Sequence, residues 1–450
     1  MSVDTVSLTG WGRTSPTAAL RFRPRSHEEA AAAVLGCGPR GSIARGQGRA
    51  HGDAAQNAGG SVLDMTALDR VRAIDAAAGL VVCEAGTTLH RLREVMLPLG
   101  WFLPVVPGGR YVTVGGAIGC DAHGDNHRAA GSFSRHVTEF TLLTADGEVR
   151  TVHPGTPLFD ATAGGLGLTG VILSATLRFR PVTTSLMAVD TGRAAGLDDL
   201  LARMTRGGHR PYEYARIDLT ARGRATGRGV LVRADHVPVH ALPAHARHTA
   251  LALRPARGPL ALPLLSGLSG LFGRLSATAL NEIGYRSAPR SRTGELQSLA
   301  AFFRALDATP HSNRVSATGG RVHYAFLVGD GQEETLRRIV GRIARSRCPS
   351  FRAVLRRCGE AGPGWLSFPA PGWNLALDLP AGLPGLARFL DSLDEEVAAA
   401  GGRVSLTEDS RLRPDALAAM YPRLPGFRAL RAELDPNGAF RSDLSRRLSL

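Results

Sequence analysis

The spacing of apolar and polar residues divides the chain into three stretches. Up to about residue 180, short apolar runs alternate with amphipathic segments, the texture of a mixed α/β unit. Residues 27–36 place Glu28 and Glu29 ahead of an alanine run and predict a helix, since its dipole favours acidic residues in the first turn. Short strands are predicted at 42–45, 61–65 and 80–84, followed by a helix over 88–98 on the spacing of Leu89, Leu92, Val95 and Met96. A glycine-rich stretch at 107–131 precedes strands at 136–145 and 148–152, a short helix near 157–163, a second glycine cluster and an alternating strand over 171–180. Beyond Pro181 the texture changes. Residues 186–236 mix strand and helix signals, and 237–281, rich in Pro, Leu, Gly and His, show no clear period. Strand signals return at 321–329 and 373–379, helices fit 332–346 and 384–400, and 413–450 reads as helices and loops. The pattern predicts a first unit at 1–183, an inserted unit at 184–404 with a flexible apolar segment at about 237–281, and a C-terminal return at 405–450.

At 450 residues the chain can form two or three domains with a sizeable core. Its hydrophobic content is 44%, yet no apolar run approaches the roughly 18 residues of a membrane span. The opening Met1-Ser2-Val3-Asp4 has no basic region followed by an apolar stretch, so a cytoplasmic protein is the expectation. Five scattered cysteines without CxxC spacing point to buried thiols rather than to zinc or a disulfide scaffold, and no metal site is expected.

The formal net charge is +15, and the chain contains no lysine: arginine supplies all of it. Coding bias is the plainer reading, and attraction to anions is the functional one. The arginines are spread along the chain and no nucleic-acid-reading motif accompanies them, so no nucleic-acid partner is expected. Without lysine, no ammonium side chain can act as Schiff base or general base.

Three glycine clusters carry the candidate chemistry. Residues 45–53 (Arg-Gly-Gln-Gly-Arg-Ala-His-Gly-Asp) follow a short strand and can turn backbone N–H groups inward onto phosphate oxygens. Residues 165–170 match GxGxxG letter for letter, but a helix precedes them and a strand follows, the reverse of the dinucleotide fingerprint. Residues 107–124 combine small residues with His123 beside Gly124, suited to close approach by a large flat ligand. Each cluster alone is most simply a tight turn; together on one unit they point to a dinucleotide.

Eight segments make a family resemblance specific. They are 10–14 (Gly-Trp-Gly-Arg-Thr), 46–57 (Gly-Gln-Gly-Arg-Ala-His-Gly-Asp-Ala-Ala-Gln-Asn), 112–124 (Val-Thr-Val-Gly-Gly-Ala-Ile-Gly-Cys-Asp-Ala-His-Gly), 130–133 (Ala-Gly-Ser-Phe), 142–148 (Leu-Leu-Thr-Ala-Asp-Gly-Glu), 164–170 (Gly-Gly-Leu-Gly-Leu-Thr-Gly), 366–374 (Leu-Ser-Phe-Pro-Ala-Pro-Gly-Trp-Asn) and 440–448 (Phe-Arg-Ser-Asp-Leu-Ser-Arg-Arg-Leu). In these the chain resembles the decaprenylphosphoryl-ribose oxidases of the vanillyl-alcohol-oxidase-like flavoproteins, densely over 1–180 and patchily over 186–360. The resemblance implies an α+β fold: a two-subdomain, PCMH-type FAD-binding domain with an inserted antiparallel-sheet substrate domain. It implies FAD held by Gly46, Gln47, Gly48, Arg49, Ala50, His51 and Asn57, then by Pro107, Gly108, Thr113, Gly115, Gly116, Ala117, Gly119, Cys120, His123 and Gly124, with Gly170 and Ile172. It also implies oxidation of a ribose hydroxyl to a ketone, with a lipid-linked or other small sugar as substrate and a reductase or epimerase as partner.

Several positions depart from the family. His51 stands where a tyrosine is common, and Glu408 replaces a lysine ahead of Asp409-Ser410-Arg411. Ser405 replaces a tyrosine, Ala376 a cysteine, and His323 and Ala325 a pair of glutamines, while Arg356 or Arg357, which could still hold a phosphate, replaces a lysine. In relatives with covalent FAD, the attaching histidine falls on Arg49, so non-covalent FAD is expected. Candidate catalytic residues are His123, His51 and Glu408; candidate substrate residues are Tyr285, His323, Arg356, Asn374 and Ala376. His123 has a structural rival role in fixing its loop, and Tyr285 could be ordinary packing. The apolar 255–275 stretch suggests contact with lipid or a peripheral site on the inner membrane face, with a packed core segment or a protein interface as alternatives. Three readings follow: an oxidase of a polyprenyl-linked sugar, an oxidase of a soluble sugar, alditol or nucleoside, and a non-catalytic flavin-binding subunit.

Overall fold

The computed structural model describes residues 2–109, 111–206, 210–252, 274–304, 320–346, 348, 350 and 352–450. The apolar 255–275 stretch lies outside them apart from its last two residues.

The amino-terminal half forms two small sheets. In the first, β1 (Ser2–Leu8) pairs antiparallel with β2 (Thr17–Arg23), and β3 (Ser42–Arg45) and β4 (Ser61–Asp64) continue it in parallel, in the order β1-β2-β4-β3. The second is antiparallel and contains β5 (Val71–Asp75), β6 (Leu80–Glu84), β8 (Val137–Leu143), β9 (Val149–Val152) and β10 (Val171–Arg178), in the order β5-β6-β10-β8-β9. A two-stranded pair, β7 (Trp101–Phe102) with β11 (Arg180–Pro181), leads out of it.

The third sheet has eight antiparallel strands among the described residues: β12 (Leu186–Ala194), β13 (Tyr212–Ile217), β14 (Gly229–His236), β15 (Ser291–Ser298), β16 (Arg321–Gly329), β17 (Ala353–Cys358), β18 (Gly372–Pro380) and β19 (Arg403–Val404). Their order is β15-β12-β14-β13-β17-β18-β16-β19. Helices Leu197–Arg206, Glu333–Arg345 and Leu386–Ala399 contribute Leu200, Ile339 and Leu393 to the core under one face. Strand periodicity of two decides the other face. Along β16, Tyr324, Phe326 and Val328 enter that core, and His323 and Ala325 line a cavity instead. Along β18, Trp373, Leu375 and Leu377 enter the core, while Asn374, Ala376 and Asp378 line the cavity.

The C-terminal segment docks back on the first sheet. Phe440, fully buried, bridges to Ser42, and Arg447 pairs with Asp53 at 2.8 Å and with Asp409 at 2.9 Å.

The structure departs from the pattern in several places. Strands β1, β2, β5 and β17 lie where none was expected. Strand β15 carries no apolar alternation because it is a largely exposed edge, held by pairing to β12. Helix Arg274–Ser287 occupies the end of a segment without a readable period. Within the glycine-rich stretch, Val114–Gly119 is helical: Thr113 caps it, its Oγ1 accepting from Gly116 N at 3.2 Å, and Gly115 N donates to Ala85 O at 2.8 Å.

Candidate active site

The turn after β3 forms one wall of a cavity of about 300 Å³. Arg45 braces this turn, donating to Ala55 O at 2.9 Å and Thr9 O at 2.7 Å. The second wall is Pro107–Gly109 with one side of helix Val114–Gly119, and Gly167, Gly170 and Ile172 close the end. The two glycine-rich turns touch: a Cβ on Gly46 would lie 2.2 Å from Thr113 Oγ1. Nine lining residues are glycines, which leaves backbone rather than side chains facing a slot suited to a flat ring system. Arg49 stacks over Trp11, with its guanidinium carbon 4.0 Å from the ring centre.

The opposite wall is polar and comes from β16, β17, β18 and the segment Ser405–Glu408. His51 Nδ1 contacts Glu408 Oε2, and His323 Nδ1 lies 2.5 Å from Asp378 Oδ1. The His51 and His323 rings stack at 4.5 Å between centres and 17° between planes. Arg356 Nε donates to Asp125 Oδ1 at 2.6 Å, which fixes its guanidinium at the wall. Asn374 Nδ2 lies 3.2 Å from His123 Nε2, while Asn374 Oδ1 is buried without a partner among the described residues, an acceptor available to a ligand. Burial pushes the Cys120 thiol up to about 11, so at neutral pH it remains a thiol in the wall.

Of the residues expected at the cofactor, Gly46, Gln47, Gly48, Arg49, Ala50, His51, Pro107, Gly108, Thr113, Gly115, Gly116, Gly119, Cys120, His123, Gly170 and Ile172 line this cavity. Three do not. Asn57 is fully buried and donates to Gly41 O at 2.8 Å, tying the turns that lead into β3 and β4. Ala117 faces the core behind the helix. Gly124 pairs through its backbone with Pro107, behind the wall. Of the substrate candidates, His323, Arg356, Asn374 and Ala376 line the cavity, as does Glu408. Tyr285 lies in a smaller neighbouring cavity under the Arg228 guanidinium, 4.6 Å away; Arg352 and Val354 belong to both cavities. Sequence reading missed Asp378, Asp125 and Arg352. Asp378 was findable, since it falls two residues after Ala376 on the same face of β18.

Burial brings His123 down to about 3, assisted by the nearby charges of His127 and Arg356. Burial likewise lowers His127 to about 4, beside Arg135, and His236 to about 3, beside Arg180. An unfolded histidine titrates near 6.5, so below that pH the unfolded chain binds more protons than the folded one. Their contribution is complete above about pH 6.5 and is lost as pH falls toward the folded values, by on the order of 1 kcal/mol per pH unit per ring. The expected result is a lower urea midpoint at pH 5 than at pH 7.5; equal midpoints would mean that these rings protonate without loss of stability.

Comparison with known proteins agrees with this geometry. Residues 18–153 match the FAD binding domain family. The decaprenylphosphoryl-beta-D-ribose oxidase of Mycolicibacterium smegmatis is 40% identical over 99% of this chain and 98% of its own length. An uncharacterized protein in the mprA 5' region of Streptomyces coelicolor is 53% identical over 81% of this chain and all of its own. An alditol oxidase of a Streptomyces species is 26% identical over 98% of this chain and 99% of its own. FAD is the cofactor, and the glycine-lined slot fits it. The chain belongs to the decaprenylphosphoryl-beta-D-ribose oxidase family of PCMH-type flavoproteins, as an FAD-dependent oxidoreductase of the sugar-oxidase type.

Proposed function

We propose that this protein oxidises a secondary hydroxyl of a sugar, most closely a ribose or similar sugar carried on a polyprenyl phosphate. The observation that carries this reading is the gathering of His51 and His123, from the glycine-rich turns, with His323 and Arg356, from the opposite wall, around one glycine-lined slot. FAD, when bound, supplies the acceptor for the hydride leaving the carbinol carbon. The residues of the chain do the rest. Neutral His123, held by Asn374, polarises or orients a sugar oxygen. Arg356, already fixed by Asp125, presents its charge to an anionic substituent. His51, oriented by Glu408, takes the hydroxyl proton. In this reading residues 1–183 and 405–450 hold non-covalent FAD, and 184–404 cover the substrate. A reductase or epimerase acting on the ketone is the partner that this chemistry calls for.

No described helix is long and apolar enough to cross a membrane. A soluble sugar or alditol is the second reading, favoured by Ala325 and Ala376, which leave this wall without bulk. Anaerobic titration of the FAD-loaded protein with polyprenyl-phosphate sugars and free sugars tests both. Bleaching of flavin absorbance by the lipid-linked sugars is expected. Bleaching by free sugars alone would establish the second reading, and a spectrum unmoved by any sugar would remove both.

A further inference from the structure

A hydroxyl proton released in this cavity needs a base, and the chain has no lysine to provide or balance charge there. Four side chains from distant segments meet at that point: Glu408 from the C-terminal return, His51 from the turn after β3, and His323 and Asp378, which are cross-strand partners of β16 and β18. We propose that Glu408, His51, His323 and Asp378 act as one proton-holding unit, in which Asp378 and Glu408 keep His323 an imidazolium and His51 receives the substrate proton. The inference rests on the oxidation proposed above and names the groups that handle its proton.

The geometry supports this division. Each imidazole turns Nδ1 to its own carboxylate, which fixes ring orientation and leaves Nε2 as the second nitrogen. Among the described residues, no hydrogen bond engages Nε2 of either ring. Two stacked imidazoliums would repel, but the two carboxylates offset them. The unit carries −2 with both rings neutral, −1 with one protonated and 0 with both. Taking up one proton from the −1 state therefore adds no net positive charge to a partly buried site.

The surrounding charges favour a proton on His323. Burial opposes a charge on His323, yet the carboxylates of Glu408 and Asp378 outweigh it and raise the ring above its ordinary value. Burial would likewise raise Glu408, but His51 and His323 bring it down to about 2. Burial would raise Asp378 as well, but His323, with Arg352 and His51 adding to the effect, holds it below the usual carboxylate range. Arg321 lies 3.4 Å from Asp378, while Arg356 and neutral His123 face the same cavity from β17 and the glycine loop. The reaction balances: the O–H bond breaks toward His51 Nε2, the carbinol C–H leaves as hydride to the cofactor, and C=O forms.

A metal ion is the rival occupant, since ligand atoms of His51, His323 and Asp378 lie within 4.8 Å of one another. The stack argues against it. An ion about 2.0–2.1 Å from both nitrogens would have to lie near both ring planes, and nearly parallel stacked rings do not aim their lone pairs at one point.

Histidine ¹⁵N NMR on the FAD-loaded protein without sugar tests the resting state. One ring, identified by its loss in His323→Gln, is expected to stay protonated through neutral pH. Asp378→Asn should move its titration down by about a unit or more. Anaerobic flavin reduction tests the base: His51→Gln should slow it on the order of 10²-fold or more, and Glu408→Gln should shift its pH profile while retaining the FAD spectrum. The proposal is overturned if His323 titrates unmoved by Asp378→Asn, if His51→Gln stays within about threefold of the parent, or if the protein holds one equivalent of metal that His323→Gln abolishes. The NMR readout needs no substrate, so failure of the sugar assignment leaves it intact. If Asp378→Asn does not fold, Glu408→Gln provides the same NMR test through the second carboxylate facing His323.

Discussion

Gly46→Val should yield a purified protein with little or no yellow colour. The valine Cβ would sit 2.2 Å from Thr113 Oγ1 and 3.0 Å from its Cγ2. Thr113 cannot simply rotate away, because its Oγ1 caps helix Val114–Gly119 through Gly116 N, a bond of about 1 kcal/mol in comparable caps. The two turns must therefore separate, and they form the two sides of the slot. A fall of at least about tenfold in FAD affinity is expected, equivalent to about 1.4 kcal/mol. The flavin-to-protein absorbance ratio after dialysis reads it directly. A ratio equal to that of the parent would show that the turn shifts freely and that the contact does not shape the slot. Gly46→Ala should fall between the two, since it adds the Cβ without the branch.

Asp409→Ala should cost roughly 3–5 kcal/mol of stability, the range for removing one member of a buried charged network. Asp409 is 4% exposed. It accepts from Arg411 N and Leu412 N, both at 2.9 Å, and pairs with Arg447 Nη1 at 2.9 Å. Without it, two backbone N–H groups lose their acceptor, and Arg447 keeps Asp53 and the Leu412 carbonyl but loses its second carboxylate. The lesion lies next to Glu408, so FAD retention should weaken along with the denaturant midpoint. Asp415→Ala, at an exposed pair with Arg413, is the control and should leave the midpoint unchanged. An Asp409→Ala midpoint equal to that of the control would mean that the docking of the C-terminal return does not depend on Asp409, its other contacts, such as Arg447 with Asp53 and Phe440 beside Ser42, sufficing.

Local chemistry accounts for what was readable beforehand. A glycine run reports its own backbone freedom, so the turn at 46–50 and the stretch at 107–119 stand out in the sequence, and both line the cavity. Strand alternation works in the same way. On β16 and β18 the period of two sorts Tyr324 and Trp373 from His323 and Asn374 without reference to other segments. Where local signals fail, a neighbour has taken over. Strand β15 is held by hydrogen bonds to β12 on an exposed edge, so it needs no apolar face. Helix Val114–Gly119 has a glycine-rich composition that disfavours helices. Its Thr113 cap and the hydrogen bond from Gly115 N to Ala85 O compensate, and the crowding by Ala85, 3.0 Å from a Cβ placed on Gly115, favours a residue without a side chain there.

Glu408 shows the boundary most sharply. Taken alone, it is a carboxylate where family members carry a cation, and it suggests lost chemistry. In the folded molecule it meets His51, which is itself stacked on His323 beside Asp378, and the same substitution becomes part of a compensated group. The sequence by itself determined the glycine-rich turns and the alternation that exposes one face of the large sheet, because these depend on neighbours a few residues apart, while the flavin-binding architecture was legible through the family resemblance. Only the tertiary structure decided which charges meet. Electrostatic energy depends on distance in space and on the surrounding medium, and residues 51, 323, 378 and 408 become neighbours only once the sheets and the C-terminal return have packed.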